Sequence, residues 1–253
     1  MTEQQSDIRT AALAAAETIL AERYPTARFG LAAGSIMRGE GVAGSDIDLV
    51  VIFEHLDAAW RESFVAHGFP VEAFVHDSET LDWFINGDVA SGRPAIVQMI
   101  AEGIVLGGDR QGAGEAKRRA AALLALGPPP LDGERLDKLR YVITDLCDDI
   151  RAIRPATEVR AIAAALYQPI ADLILLGRGR WTGSGKWAPR LIARMDQPLA
   201  DAFDSAFHDI ADGRPEALLA LATSELARHG GPLFDGYRSA APATARRPGA
   251  TTS

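Results

Sequence analysis

Three consecutive prolines, Pro128-Pro129-Pro130, constrain this chain more than any other feature. Proline lacks an amide hydrogen and holds φ fixed, so such a run continues neither a helix nor the interior of a sheet. The 253 residues must therefore fold on either side of it, and the two sides carry different patterns. Strand and helix signals are mixed before the run, whereas only helical spacing follows it. The expected fold class is α+β, with a mixed-sheet domain over residues 1–127 and an all-α helical bundle over 131–237. Residues 238–253 are small, polar and proline-containing, the composition of a disordered tail.

Before the prolines, residues 8–23 have an alanine-rich helical pattern, 28–33 read as a short strand, and 46–53 as a strand with a branched apolar centre. Residues 58–67 read as a helix. Residues 71–76 form the next strand, placing Glu72, Phe74 and His76 on one face. Ser78 is the expected cap of a further helix, Pro94 can open another in its first turn, and residues 104–106 make a last strand. After the prolines, residues 132–153, 157–176, 188–195, 199–210 and 215–227 read as helices, the second kinked at Pro169. The glycine-rich segment 177–187, with Trp181, Lys186 and Trp187, interrupts them.

Composition narrows the function classes. A single cysteine, Cys147, makes neither an intrachain disulfide nor a thiolate zinc site. The first ten residues have no basic region followed by an apolar stretch, so the expected location is cytoplasmic. The most apolar stretch, 161–176, is broken by Gln168, Pro169 and Asp172; it is expected to fall short of a membrane span and to form a buried helix. Net charge is −8, and through Gly127 there are 10 basic against 18 acidic residues, with 16 of each afterwards. A nucleic-acid partner is not expected without a basic stripe. An acidic half suits a divalent metal or a cationic small substrate, a solvated acidic surface being the plainer alternative.

The chemistry is concentrated in residues 30–54, GLAAGSIMRGEGVAGSDIDLVVIFE. On an extended strand Asp46 and Asp48 share a face and Ile47 turns away. Two adjacent carboxylates repel unless a cation neutralises them, and a hard divalent ion with oxygen ligands, Mg²⁺, is the usual solution. Glu72 on the next strand adds a third carboxylate, enough for two ions that would clamp the attacking and leaving oxygens of an in-line displacement at phosphorus. Opposite them, Gly34 allows close backbone approach to a phosphate. Ser35 offers a hydroxyl and an amide at a helix start, and Arg38 follows one turn later.

Gly34-Ser35, then ten residues, then Asp46-Ile47-Asp48, supported by Arg38-Gly39-Glu40 and Ser45, resembles the signature of the DNA polymerase β-like nucleotidyltransferase superfamily. Within it the chain looks most like the small-substrate branch of aminoglycoside and lincosamide nucleotidyltransferases, which joins such a domain to a C-terminal helical bundle. The motifs cover residues 28–77, and Met37 departs from the small residue often found at its position. The resemblance implies that Asp46 and Asp48 bind metal, that Glu72 completes the site, and that Ser35 and Arg38 meet the nucleotide phosphates.

The expected activity is Mg²⁺-dependent transfer of a nucleoside monophosphate, AMP from ATP, to a hydroxyl of a small acceptor such as an aminoglycoside-like antibiotic, with release of pyrophosphate. The alternatives are a protein-modifying enzyme of the antitoxin kind, acting on a partner protein, and a non-catalytic nucleotide-binding module. In the helical half Lys186 is a candidate for the triphosphate, and Trp181 and Trp187 are candidates for stacking on a base or sugar. Asp145, Asp148 and Asp149 share a helix face and are candidate substrate ligands, against the plainer reading of a solvated face. His76 is read as structural.

Overall fold

The computed structural model describes residues 3–42, 44–242 and 245. The chain divides into two units, Met1–Pro129 and Pro130–Ser253, and the α+β class expected from the sequence is the one observed. Of the tail expected to be disordered, residues 243–244 and 246–253 lie outside the described residues.

The first unit is built on a five-stranded mixed sheet: β1 Phe29–Ala33, β2 Ile47–Ile52, β3 Trp60–Ala66, β4 Phe69–His76 and β5 Ile104–Leu106, in the order β3-β4-β2-β1-β5. β1 is antiparallel to both β2 and β5, β4 is antiparallel to β3, and β2 and β4 run parallel. The parallel register sets Asp48 opposite Glu72. Alternation along β2 then divides the core. Ile47, Leu49 and Val51 pack with Ala12, Ala16 and Ile19 of helix α1, Glu3–Arg23. Val50 and Ile52 pack on the other face with residues of α3, Ser78–Ser91, and α4, Ala95–Glu102; α5, Arg110–Leu126, adds Ala113 and Ala120 to the same cluster. Between β1 and β2 lies one short helical turn, α2, Gly34–Met37.

Several local expectations are corrected. Residues 58–67 do not form a helix; Trp60–Ala66 is the edge strand β3, paired with β4 through a two-residue turn at His67 and Gly68, with φ of 50° and 82°. Left-handed conformation at both central residues suits a tight hairpin, and glycine takes it without steric cost. Glu62, Phe64 and Ala66 are half-buried while Arg61, Ser63 and Val65 are exposed, a period of two that the helical reading passed over. The cap of α3 is Asp77, not Ser78: its carboxylate accepts from the Thr80 amide at 2.9 Å, and the Thr80 hydroxyl accepts from the Asp77 amide at 3.0 Å. Pro94 precedes α4 rather than entering its first turn, and Asp88 supplies the missing cap by accepting from Ile96 N at 2.6 Å and Val97 N at 3.2 Å. Helix α5 has no counterpart in the sequence reading; it fully buries only Ala113 and Ala120, too little to print an apolar stripe.

The second unit packs α6 Gly133–Arg151, α7 Ala156–Leu176, α8 Trp187–Met195, α9 Gln197–Ala211 and α10 Glu216–Ala227 around Ile143, Leu166, Ile170, Leu173, Phe203 and Leu218. Contrary to expectation, α7 is long and apolar enough by length and composition to cross a membrane, the one such helix among the described residues. Its Leu166, Ile170, Leu173 and Ile174 are wholly buried within the unit. Its polar interruptions anchor the glycine-rich loop. The Gln168 amide donates to Gly183 O at 3.0 Å, and the Thr182 hydroxyl donates to the Asp172 carboxylate at 2.7 Å. Arg178 and the buried Glu225 close the far end with two hydrogen bonds of 2.6 and 2.9 Å.

Candidate functional site

The antiparallel pairing of β1 and β2 ends at Ala33 opposite Asp48, so the chain turns at Gly34 directly beside that carboxylate. Gly34 has φ +88°, and a Cβ there would lie 3.1 Å from Asp48 Cγ and inside contact distance of Oδ2. Only glycine meets both demands, the left-handed backbone and the missing side chain. The loop into β2 is fastened by Val42 and Ser45, whose Oγ accepts from Val42 N at 2.9 Å while Ser45 N donates to Val42 O at 2.9 Å. Asp46 follows at once, and Asp48 two residues on; Ile47 between them is fully buried on the opposite face.

Oxygens of Asp46, Asp48 and Glu72 lie within 4.8 Å of one another, and all three residues are half-buried. The sequence therefore named the whole carboxylate cluster, two members by strand alternation and the third by strand pairing. Burial, followed by the charges of Asp46 and Glu72, raises the Asp48 pKa to about 6, with Arg38 and Arg61 opposing the shift. Three oxygen donors converging at one point, one of them held reluctantly as an anion, fit a hard divalent cation.

The sign of the linkage yields a prediction. The folded chain holds the Asp48 proton more tightly than the unfolded one, so Asp48's own contribution to stability is fully present below about pH 4 and is lost as pH rises through about 6. Above that, the charged Asp48 costs roughly 3 kcal/mol. Without divalent cation, Asp48→Asn is expected to melt above the wild type at pH 8 and level with it near pH 4. Equal melting temperatures at pH 8 would show that the carboxylate cluster is not strained.

Around the cluster, Arg38 ends α2 and is held at 3.2 Å by both Glu40 and Glu102. Ser35 occupies the second position of α2 and is half-buried. The sequence reading missed Arg61, which donates to Glu72 Oε2 at 2.5 Å and lies with its guanidinium 4.9 Å over the Phe74 ring. The alternation of β3, once seen, would have placed Arg61 beside Glu72's strand.

The remaining candidates belong to the second unit, whereas all three carboxylates come from the first. Lys186 is exposed just ahead of α8. Trp187 packs under Arg190 at 5.3 Å, and Trp181 lines a cavity of about 300 Å³ with Arg180, Arg194 and Leu191. Asp148 is paired with Arg151 at 2.5 Å and Asp149 with Arg154, while Asp145 is exposed on the same helix. His76, on the face shared with Glu72 and Phe74, is 4% exposed.

No protein-family model matches the chain, and no curated protein does. Among solved structures it is similar to a nucleotidyltransferase-like protein from Exiguobacterium sibiricum 255-15, with 14% sequence identity over 86% of this chain and 76% of that one, and a TM-score of 0.46.

Proposed function

We propose that this protein is a nucleotidyltransferase that moves a nucleoside monophosphate, AMP from ATP in the first instance, to a hydroxyl of a small acceptor and releases pyrophosphate. The observation that carries the reading is the carboxylate cluster: Asp46, Asp48 and Glu72 within 4.8 Å, beside a glycine turn that leaves no room for a side chain. The spacing of Gly34-Ser35 from Asp46-Ile47-Asp48 agrees with it.

Mg²⁺ held by these carboxylates would neutralise triphosphate charge and favour ionisation of the acceptor hydroxyl. The chain's own residues supply the rest. Gly34 lets Asp48 lie against the backbone at the turn, and the first amides of α2 and the Ser35 hydroxyl donate to the phosphates. Arg38 adds positive charge from the end of that turn. Arg61 holds Glu72 Oε2, which leaves Oε1 to accept the hydroxyl proton.

Calorimetric titration with Mg²⁺ and non-hydrolysable ATP or GTP analogues tests the reading. Metal-dependent binding to the wild type is expected, with the preferred base showing as the tighter analogue, and binding should be lost in a folded Asp46→Asn/Asp48→Asn variant. Absence of binding to the wild type would leave the cluster without a nucleotide and overturn the proposal.

A further inference from the structure

Resting on that reading, we infer that the acceptor sits in an apolar cavity beside Glu72, and that it is a small molecule whose hydroxyl is carried on an aromatic or fused-ring body rather than a polycationic aminoglycoside. The cavity, about 330 Å³, lies within the first unit between β3, β4, α3 and α4. Its lining includes Trp60, Phe74, His76, Phe84, Ile96 and Met99. That volume is at the small end for ligand sites and suits one or two fused rings.

Two observations tie the cavity to the carboxylates. Arg61 lines it, donates to Glu72 at 2.5 Å and stacks over Phe74 at 4.9 Å, so a single side chain borders both sites. Glu72 and Phe74 are two residues apart on one face of β4, a separation of about 7 Å. A ligand lying along this face of β4 therefore reaches from the cavity toward Glu72. Apolar surface also stands open at the cavity: Trp60 is 42% exposed and Phe84 43%, with Trp83, 70% exposed, in edge contact with Phe84 at 4.9 Å.

The polar groups argue against a polycation. Asp88 is the one carboxylate in the lining, and it is engaged by the Ile96 and Val97 amides. Arg61 adds a positive charge. Asp148 and Asp149, the acidic face read from the sequence as a substrate ligand, are paired with Arg151 and Arg154. What the lining offers instead is aromatic surface and the buried His76, whose Nδ1 has no hydrogen-bond partner.

In the transfer, the acceptor's hydroxyl oxygen bonds to the α-phosphorus. The bond from that phosphorus to the oxygen bridging to the β-phosphate breaks, pyrophosphate leaves with the bridging oxygen, and the hydroxyl proton passes to Glu72.

The test uses 2-naphthol as the probe, followed by its own fluorescence, with kanamycin as the polycationic comparison. The full-length wild type is expected to bind 2-naphthol saturably, not to bind kanamycin, and to form a naphthyl nucleotide ester when given Mg²⁺ and ATP. Ala95→Trp and, independently, Met99→Trp fill the cavity from two positions on α4; each is expected to weaken 2-naphthol about tenfold or more while leaving Mg²⁺-nucleotide binding unchanged. Asp46→Asn/Asp48→Asn should show the reverse. Nucleotide binding without saturable 2-naphthol binding, or 2-naphthol binding in both filled variants as tight as in the wild type, overturns the inference alone. Cavity binding without any metal-dependent nucleotide binding overturns the transferase reading and the acceptor role with it.

Discussion

Replacing Asp46 and Asp48 by asparagine is expected to lower Mg²⁺-dependent transfer of nucleotide about a thousandfold or more while raising the melting temperature of the metal-free protein at pH 8. Asparagine keeps the shape of each side chain but removes the charge that holds the cation. Loss of the electrostatic stabilisation of a phosphoryl displacement costs several kcal/mol, and about 4 kcal/mol corresponds to a thousandfold in rate. The opposite change in stability follows from the packing. Asp48 is half-buried beside two other carboxylates, and its desolvation, followed by their charges, raises its pKa to about 6, so its ionised form burdens the empty fold. An activity loss joined to a stability gain is the signature of a strained functional site, whereas a structural carboxylate would lose both together. Steady-state release of pyrophosphate, read beside thermal melts at pH 4 and pH 8, separates the two; full turnover in the variant would remove these carboxylates from the chemistry.

Gly34→Ala is the second large effect, and Gly68→Ala is its control. Both glycines have positive φ, +88° and +82°, so both alanine variants are strained in the backbone by about 1–2 kcal/mol. Their surroundings differ. Nothing lies within 4 Å of a Cβ at Gly68, whereas at Gly34 the new methyl would meet the Asp48 carboxylate. Each variant should melt a few degrees lower. Only Gly34→Ala should also lose Mg²⁺-nucleotide affinity, by about a hundredfold, because Asp48 must move from its place beside Glu72. Equal affinity in the two variants would mean that close approach at Gly34 serves the turn and not the site.

Arg61 shows where local reading ran out. Residues 58–67 contain enough helix-compatible side chains to pass as a helix, and what makes Trp60–Ala66 a strand is its ladder with β4. β-Strand preference depends on what a strand packs against, so an edge strand with one half-buried face is faintly marked in its own residues. With β3 misread, the guanidinium beside Glu72 and the aromatic wall of the cavity had no place. Helix α5 escaped for a related reason, since its buried positions are alanines that leave little periodic contrast.

The proline break, the helical second half, and a glycine-serine turn feeding a strand with carboxylates two residues apart were legible in the residues alone. Each of these is decided by backbone dihedrals or side-chain period within a few residues. The β3-β4-β2-β1-β5 order, the parallel register that sets Glu72 opposite Asp48, and the burial that raises the Asp48 pKa to about 6 emerge only with the folded sheet. Strand partnership is chosen by packing between residues far apart in the chain, and a pKa by everything that surrounds the group. The carboxylates were legible because alternation is local; their charge state and the cavity beside them exist only once the sheet has closed.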